Sequence, residues 1–257
     1  MKNRYVDIHA HILPNVDDGA KDMEESMSML HMAYNEGIRT IIATPHYGME
    51  QYNTNPVVCE SIVEKLNKNI ISDNALDGMK VLLGNELLYH ADIFQDIEKG
   101  LASTLADTDY VLVEFLIDAP FSTLEACAKD MKIAGYKPIY AHIERYFCLM
   151  DDISKLDILK NLGVMLQVNS IELEELPNLE EKKRFTLFRR NQFDPDEFRK
   201  KIAWQFVLSG MVDLIASDAH NTDWRKPVMK TAFDNIRTVA GDELADTLIK
   251  NANNILK

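Results

Sequence analysis

Short runs of β-branched and apolar residues alternate with amphipathic stretches along this chain, and that alternation most constrains its fold. Seven such runs cover residues 5–9, 40–43, 81–83, 110–113, 138–142, 164–169 and 212–217. Between the first two, Met23, Met27, Leu30 and Tyr34 recur at helical spacing before Gly37. Val58, Ile62, Leu66 and Ile70 recur in the same way. Further helices are predicted over 123–135 and 153–162, and helical sequence fills most of the C-terminal part. Strands alternating with helices imply a parallel sheet with helices outside it. The strands are evenly spread and no Gly-rich phosphate loop is present. A closed seven-stranded (β/α)7 barrel therefore fits better than an open doubly wound sheet. No linker or repeat divides the sequence, so one domain over residues 1–257 is expected.

The polar residues at the ends of these runs carry the chemistry. His9 and His11 alternate in an extended segment, so both imidazoles project to one side. The Asp17-Asp18-Gly19 turn brings carboxylates back towards them. His46, Glu86, Glu114, His142, Asp218 and His220 stand at or just past later strand ends. In a barrel of this kind the C-terminal rim is where strand ends converge and sites are built. Five of the seven histidines fall there, whereas His31 and His90 read as structural or surface residues. Ordinary surface histidines or capping groups would account for one or two of these positions, but poorly for the set. With Asp17 or Asp18 added, the donors exceed what one ion uses, which implies two or three ions. Imidazole mixed with carboxylate suits Mn, Zn or Fe, and the lack of thiolate ligands argues against structural zinc.

Composition removes several alternatives. A net charge of −13 disfavours nucleic acid, because phosphate contacts need Lys and Arg. The same charge opposes any anionic substrate unless bound divalent ions reverse its sign locally. Cys59, Cys127 and Cys148 are unclustered, which suits a reducing cytoplasm, and none begins a Cys-x5-Arg phosphatase loop. No apolar run of membrane-spanning length and no signal-peptide pattern is present, so a cytoplasmic protein without membrane insertion is expected.

In order, His-x-His, Thr-Pro-His, Gly-x-Glu, Glu-Phe, Ala-His-x-Glu-Arg-Tyr and Ser-Asp-Ala-His-Asn resemble a PHP (polymerase and histidinol phosphatase) domain. More narrowly, the chain resembles the PHP-type protein-tyrosine phosphatases of capsular and exopolysaccharide gene clusters, the CpsB/CapC group. That narrower match rests on Ile12-Leu13-Pro14 before the Asp-Asp-Gly turn, on Glu144-Arg145-Tyr146, and on the stretch from Asn221 to Pro227. It runs from the N-terminus to about Val168 and from about Leu208 to Ile236.

The resemblance implies a distorted TIM-like seven-stranded PHP barrel holding three divalent ions, manganese foremost, with iron or zinc as alternatives. The matching ligands are His9, His11, Asp18, His46, Glu86, Glu114, His142, Asp218 and His220, with Glu86 bridging. The matching catalytic pair is Arg145 and Arg225. The implied substrate is the phosphotyrosine tail of a bacterial tyrosine autokinase in polysaccharide export. Histidinol phosphate or another small phosphoester is the alternative substrate, and a nuclease ranks lower because of the acidic surface. A non-catalytic adaptor of the export system is the non-enzymatic alternative, against which the intact ligand set and arginine pair argue.

Two departures stand out: Ile143 replaces the family's usual Pro, and residues 176–200 are longer and more charged than the family pattern. There, Lys182, Lys183, Arg184, Phe185, Phe188, Arg189 and Arg190 form either a dock for an acidic phosphopeptide or a solvated helix face, the commoner fate of charge runs. The family's assemblies raise the prospect of a homo-oligomer. Glu36-x-x-Arg39 is a candidate contact and equally an ordinary charged helix end.

Overall fold

A computed structural model describes residues 4–52, 54–177 and 194–257. The cationic-aromatic block at 182–190 therefore lies outside the described residues. β1 (Tyr5–Ala10) is buried at every position, as a strand covered on both faces must be. α1 (Met23–Asn35) starts at Asp22, whose carboxylate accepts from the Glu25 amide. Its buried face is Ser26, Met29, Leu30 and Ala33, while Met23, Met27 and Tyr34 flank that face half-buried.

There follow β2 (Ile38–Ala43), β3 (His46–Tyr47), α2 (Pro56–Ser72), β4 (Lys80–Leu83), β5 (Glu86–Leu88) and α3 (Ile93–Glu98). Next come β6 (Tyr110–Glu114), α4 (Phe121–Ala134), β7 (Lys137–Tyr140), α5 (Phe147–Met150), α6 (Ser154–Asn161) and β8 (Met165–Asn169). The chain ends with α7 (Pro195–Leu208), β9 (Leu214–Ala216), α8 (Lys230–Ala240) and α9 (Asp242–Asn254).

Every strand pair is parallel, in two sheets ordered β1-β2-β4 and β3-β5-β6-β7-β8-β9. The described residues thus hold nine strands, not the seven read from the sequence, and the cause is local. Pro45 has no N–H to give the ladder, so β2 stops before it and the chain resumes as β3. Gly84 and Asn85 separate β4 from β5, although the Gly84 N–H still donates to Ala43 O at 2.9 Å. A Cβ on Gly84 would lie 2.7 Å from Leu105 Cδ2 and 3.1 Å from Ile42 Cγ2, so only glycine fits the pinch. The Asn85 side chain fills the gap, donating to Pro45 O at 2.9 Å and accepting from the Ser103 amide at 2.8 Å.

The parallel sheet curls until its last strand approaches its first. Asp218 N–H donates to His9 O at 2.8 Å, and His11 N–H donates to Ala219 O at 2.7 Å. Below that contact the buried Asp7 carboxylate accepts from the Ser217 amide at 2.9 Å and the Ser217 hydroxyl at 2.5 Å. Inward-facing Ile8, Ile42, Leu112, Ile139 and Leu214 pack with Ala252 of α9 into an inner apolar plug. Oppositely facing residues such as Ile41, Val111, Val113 and Leu166 pack beneath the helices. The polar strand ends are therefore gathered above an apolar floor.

Glu36 accepts from the Met229 and Lys230 amides, and Arg39 donates to the Tyr34 and Ile38 carbonyls. Both ends of that pair thus have work within the chain. Among the described residues, no helix is long and apolar enough to cross a membrane.

Candidate metal centre

The site begins with two histidine tautomers that the surroundings fix. Gln167 Oε1 accepts the His142 amide at 2.9 Å, which identifies it as the amide oxygen. That oxygen lies 3.2 Å from His9 Nδ1, so Nδ1 carries the proton and His9 Nε2 presents a lone pair. The same holds for His11, whose Nδ1 donates to Asp17 Oδ2 at 2.6 Å. The two Nε2 atoms nevertheless face each other 3.2 Å apart, lone pair towards lone pair, in full burial. Positive charge, whether a shared proton or a divalent metal ion, resolves that arrangement. His220 follows the pattern, with Nδ1 donating to Asp218 O at 2.8 Å and a buried Nε2 left without a partner.

The carboxylates complete the donor set. Glu86, fully buried, places Oε1 2.7 Å from His142 Nε2 and 3.3 Å from His9 Nε2. Its other oxygen lies 3.0 Å from His46 Nδ1 and 3.2 Å from His11 Nε2. Glu114 reaches His46 Nδ1 at 2.8 Å, and Asp18 lies 3.4 Å from His46 Nε2 and 3.5 Å from His220 Nε2. Asp218 turns Oδ1 towards His9 at 3.3 Å and His11 at 3.5 Å. Glu86 Oε2 and Asp218 Oδ1 are buried without hydrogen-bond donors. Buried orphan oxygens are costly unless an ion takes them up, so this set fits divalent cations.

Three overlapping groups of donor atoms emerge, each within 4.8 Å: His11, Asp18, His46 and His220; His9, His11, Glu86 and Asp218; His46, Glu86 and Glu114. Eight of the nine residues predicted as ligands fall in these groups, and His142 touches them through Glu86. His31 and His90 stand apart, paired with Asp73 at 2.9 Å and Asp96 at 3.5 Å.

Electrostatics divide the imidazoles. Against burial, Glu86 raises His9 and His46 and Asp17 pushes His11 up to about 9, a demand for positive charge that divalent ions would meet, while His142 and His220 shift the other way. Burial, then the Arg145 charge, pulls the His142 pKa down to about 4. Burial, then His11, does the same for His220, so both present neutral imidazole at pH 7. Burial opposes ionisation of Asp218, but the Arg145 and Arg225 charges beside it hold the carboxyl well below its usual range. Burial also opposes ionisation of Glu86, which is held well below its usual range only by positive charge at His9 and His46, a charge that bound cations would supply once those imidazoles serve as neutral ligands.

The arginines reach the centre through Asp218. Arg145 Nη2 lies 2.7 Å and Arg225 Nη2 2.8 Å from Asp218 Oδ2, which also accepts from Asn169 Nδ2 at 2.8 Å. One carboxylate thus faces the histidines with one oxygen and both guanidinium groups with the other.

Local backbone strain places two of these side chains. His142 (φ 34°) and Asp218 (φ 52°) both adopt left-handed conformations that cost a non-glycine residue energy, and both sit two residues past a strand end. Ile143, in the family's Pro position, is buried and opens the short 3-10 turn that carries Arg145. Gly19 lets the acidic turn close on β1, since a Cβ there would fall 2.1 Å from His11 O.

Residues 5–181 and 196–257 match the family model for capsular polysaccharide synthesis, CpsB/CapC. The chain belongs to the CpsB/CapC family. Tyrosine-protein phosphatase CpsB of Streptococcus agalactiae is 32% identical over 257 residues, covering 98% of both chains. In a crystallographic study of YwqE from Bacillus subtilis and CpsB from Streptococcus pneumoniae, described as metal-dependent tyrosine phosphatases, one chain superposes with TM-score 0.84 at 32% identity. That match covers 98% of this chain and 94% of the other. An amidohydrolase from Mycoplasma synoviae, at TM-score 0.59 and 12% identity, shares the fold alone.

Within this CpsB/CapC site, sequence reasoning missed the supporting residues. Gln167 sets the His9 tautomer and Asn169 holds Asp218, and the Tyr146 hydroxyl accepts from the Phe115 amide at 3.2 Å. A signal for the first two existed: amides at alternate positions of an otherwise apolar strand share one face. Asp17 was one of two candidates in its turn, and it stands behind His11, while Asp18 joins the donor groups.

Proposed function

We propose that this CpsB/CapC chain is a metal-dependent protein-tyrosine phosphatase acting on the phosphotyrosine tail of a bacterial tyrosine kinase in capsular or exopolysaccharide synthesis. The observation that carries the reading is Asp218, shared between the histidine cluster and the Arg145–Arg225 pair. Three overlapping donor groups support three ions held by His9, His11, Asp18, His46, Glu86, Glu114, His142, Asp218 and His220, with manganese first and iron or zinc as alternatives. Such ions supply positive charge for a phosphate ester and lower the pKa of water at neutral pH.

The chain's own residues do the rest. Arg145 and Arg225 present planar guanidinium groups beside the donor set, suited to the equatorial oxygens of a transferring phosphoryl group. Asp218 fixes their position by accepting an N–H from Arg145 and forming an ion pair with Arg225 at 2.8 Å. Gln167 and Asp17 hold protons on the outer nitrogens of His9 and His11, keeping the inner nitrogens as donors. A phenolate is a stable leaving group, so a strong general acid matters less than for an alkyl ester.

This reading takes residues 1–257 as one PHP domain, a distorted seven-stave barrel in which β2–β3 and β4–β5 each count as one broken stave. Three free cysteines support action in the cytoplasm, and a homo-oligomer is a proposal for light scattering to test. The deciding experiment compares turnover of a phosphotyrosine peptide and histidinol phosphate, with and without manganese. Preferential, metal-dependent turnover of the peptide supports the reading, and preference for histidinol phosphate overturns it.

A further inference from the structure

We propose that Trp224 selects aryl over alkyl phosphate esters, by offering the tyrosyl ring a face in the cavity that opens beside Arg145 and Arg225. The inference rests on the phosphatase reading and names the residue that sets its substrate class.

A cavity of about 340 Å³ is lined by Arg145, Arg225 and Asp218 at one end and by none of the clustered histidines. Its size lies at the lower end of small-molecule sites, enough for one phosphorylated side chain. Its remaining wall sets Ile171 and Trp224 among polar and charged side chains that include Glu172, Glu174, Asp196, Arg199 and Lys200. Among the described residues, the cations Arg199, Lys200 and Lys226 near the far side of the cavity have carboxylate partners. Arg199 is bonded to Glu172 and Asp196, Lys200 reaches Glu175 at 2.8 Å, and Lys226 reaches Glu174 at 3.3 Å. Arg145 and Arg225 share a single Asp218 oxygen between them, so phosphate is drawn to this pair, and the organic part of the ester is left beside Trp224 and Ile171.

Trp224 stands where that part begins. Its ring centroid lies 5.8 Å from Arg225 Cζ, so an oxyanion on Arg225 brings the esterified group alongside the indole. The loop is fixed. Asn221 Oδ1 accepts from the Asp223 and Arg225 amides, and Arg225 O accepts from the His220 amide at 2.8 Å. Trp224 is 70% exposed, whereas Trp204 is 3% exposed with its indole N–H bonded to Glu175 O. A large ring held at a cavity mouth without packing inward is available to stack, and aromatic pairs gain free energy that an alkyl chain does not. Because the far cations are already neutralised, selection by these residues comes from the ring and not from acidic residues flanking it.

The test compares the metal-loaded wild type with Trp224→Ala and Trp224→Phe. Measured quantities are kcat and KM for a phosphotyrosine peptide. Dissociation constants are also measured for two non-hydrolysable peptides, one carrying an aryl phosphonate and one an alkyl phosphonate. Trp224→Ala is expected to raise KM by roughly 3- to 10-fold and to shrink the aryl-to-alkyl affinity ratio by the same factor, as loss of one aromatic pair predicts. Trp224→Phe is expected to restore most of both. Quenching of tryptophan fluorescence by the aryl phosphonate peptide should disappear in both variants, since only the buried Trp204 remains. An alanine variant with unchanged KM and an unchanged affinity ratio overturns the inference while leaving the phosphatase reading intact. A wild type that hydrolyses no phosphotyrosine peptide overturns both.

Discussion

Arg225→Lys isolates the contribution of a planar guanidinium at constant charge. In the folded protein Arg225 Nη2 lies 2.8 Å from Asp218 Oδ2, and Arg145 Nη2 lies 2.7 Å from the same atom. Asp218 thus engages one nitrogen of each, and a guanidinium has five N–H donors, so each arginine retains geometry for two-point contact with phosphate oxygens. Lysine preserves the cation and its pull on Asp218 but offers a compact ammonium with no fork. The lost contact is one that strengthens as charge develops on the phosphoryl oxygens, so the effect belongs mainly in kcat. Removing one preorganised donor of this kind costs about 10²–10³-fold, or about 2.7–4 kcal/mol. Arg145→Lys should behave alike, and the double variant should lose less than the product of the two, because both arginines act on one carboxylate. Steady-state kinetics with p-nitrophenyl phosphate, alongside bound-metal analysis, separates this from loss of the ions. Wild-type kcat in both single variants at full metal content would refute the arginine roles.

Glu86→Gln should abolish turnover and lower metal content together, because Glu86 belongs to two donor groups; retention of both by the variant would rule out a bridging role. Gly19→Ala should destabilise the fold and weaken metal binding, since its Cβ would sit 2.1 Å from His11 O and displace the turn bearing Asp17 and Asp18; a denaturation midpoint and metal affinity equal to wild type would contradict this. Burial pushes the Cys59 and Cys127 thiols up to about 12. A raised thiol pKa favours the protonated, unreactive form throughout the range below it. Alkylation of the native protein at pH 8 is therefore expected at half-buried Cys148 first, with phosphatase activity retained, and parallel loss of activity and of a buried thiol would count against a metal-based reaction.

The gathering of His9, His11, His46, Glu86, Glu114, Asp218 and His220 was legible because period-two alternation and parallel strand order send strand-end residues to one rim. Other features had no such signal. β3 and β5 are two and three residues long, too short for periodicity, and they exist because Pro45 and the Gly84–Asn85 pinch break longer strands. On α1 the apolar stripe is broad, and packing turned it so that Met29 and Ala33 lie innermost instead of Met27 and Tyr34. The choice between Asp17 and Asp18 depended on a turn whose closure is set by Gly19 against the His11 carbonyl, a contact between residues eight apart that no local pattern encodes. Trp224 gave no signal either, because its meaning comes from a cavity built by separate segments of the chain.

Metal dependence is the central claim, and its most direct test is a reconstitution. The chelated, metal-free protein is titrated with manganese while bound metal and phosphotyrosine-peptide turnover are measured on the same samples. The arrangement of His9 and His11, with facing nitrogens 3.2 Å apart, predicts no turnover without metal and activity that rises with occupancy of the donor groups. Turnover at wild-type rates in protein shown to hold no metal would contradict the account.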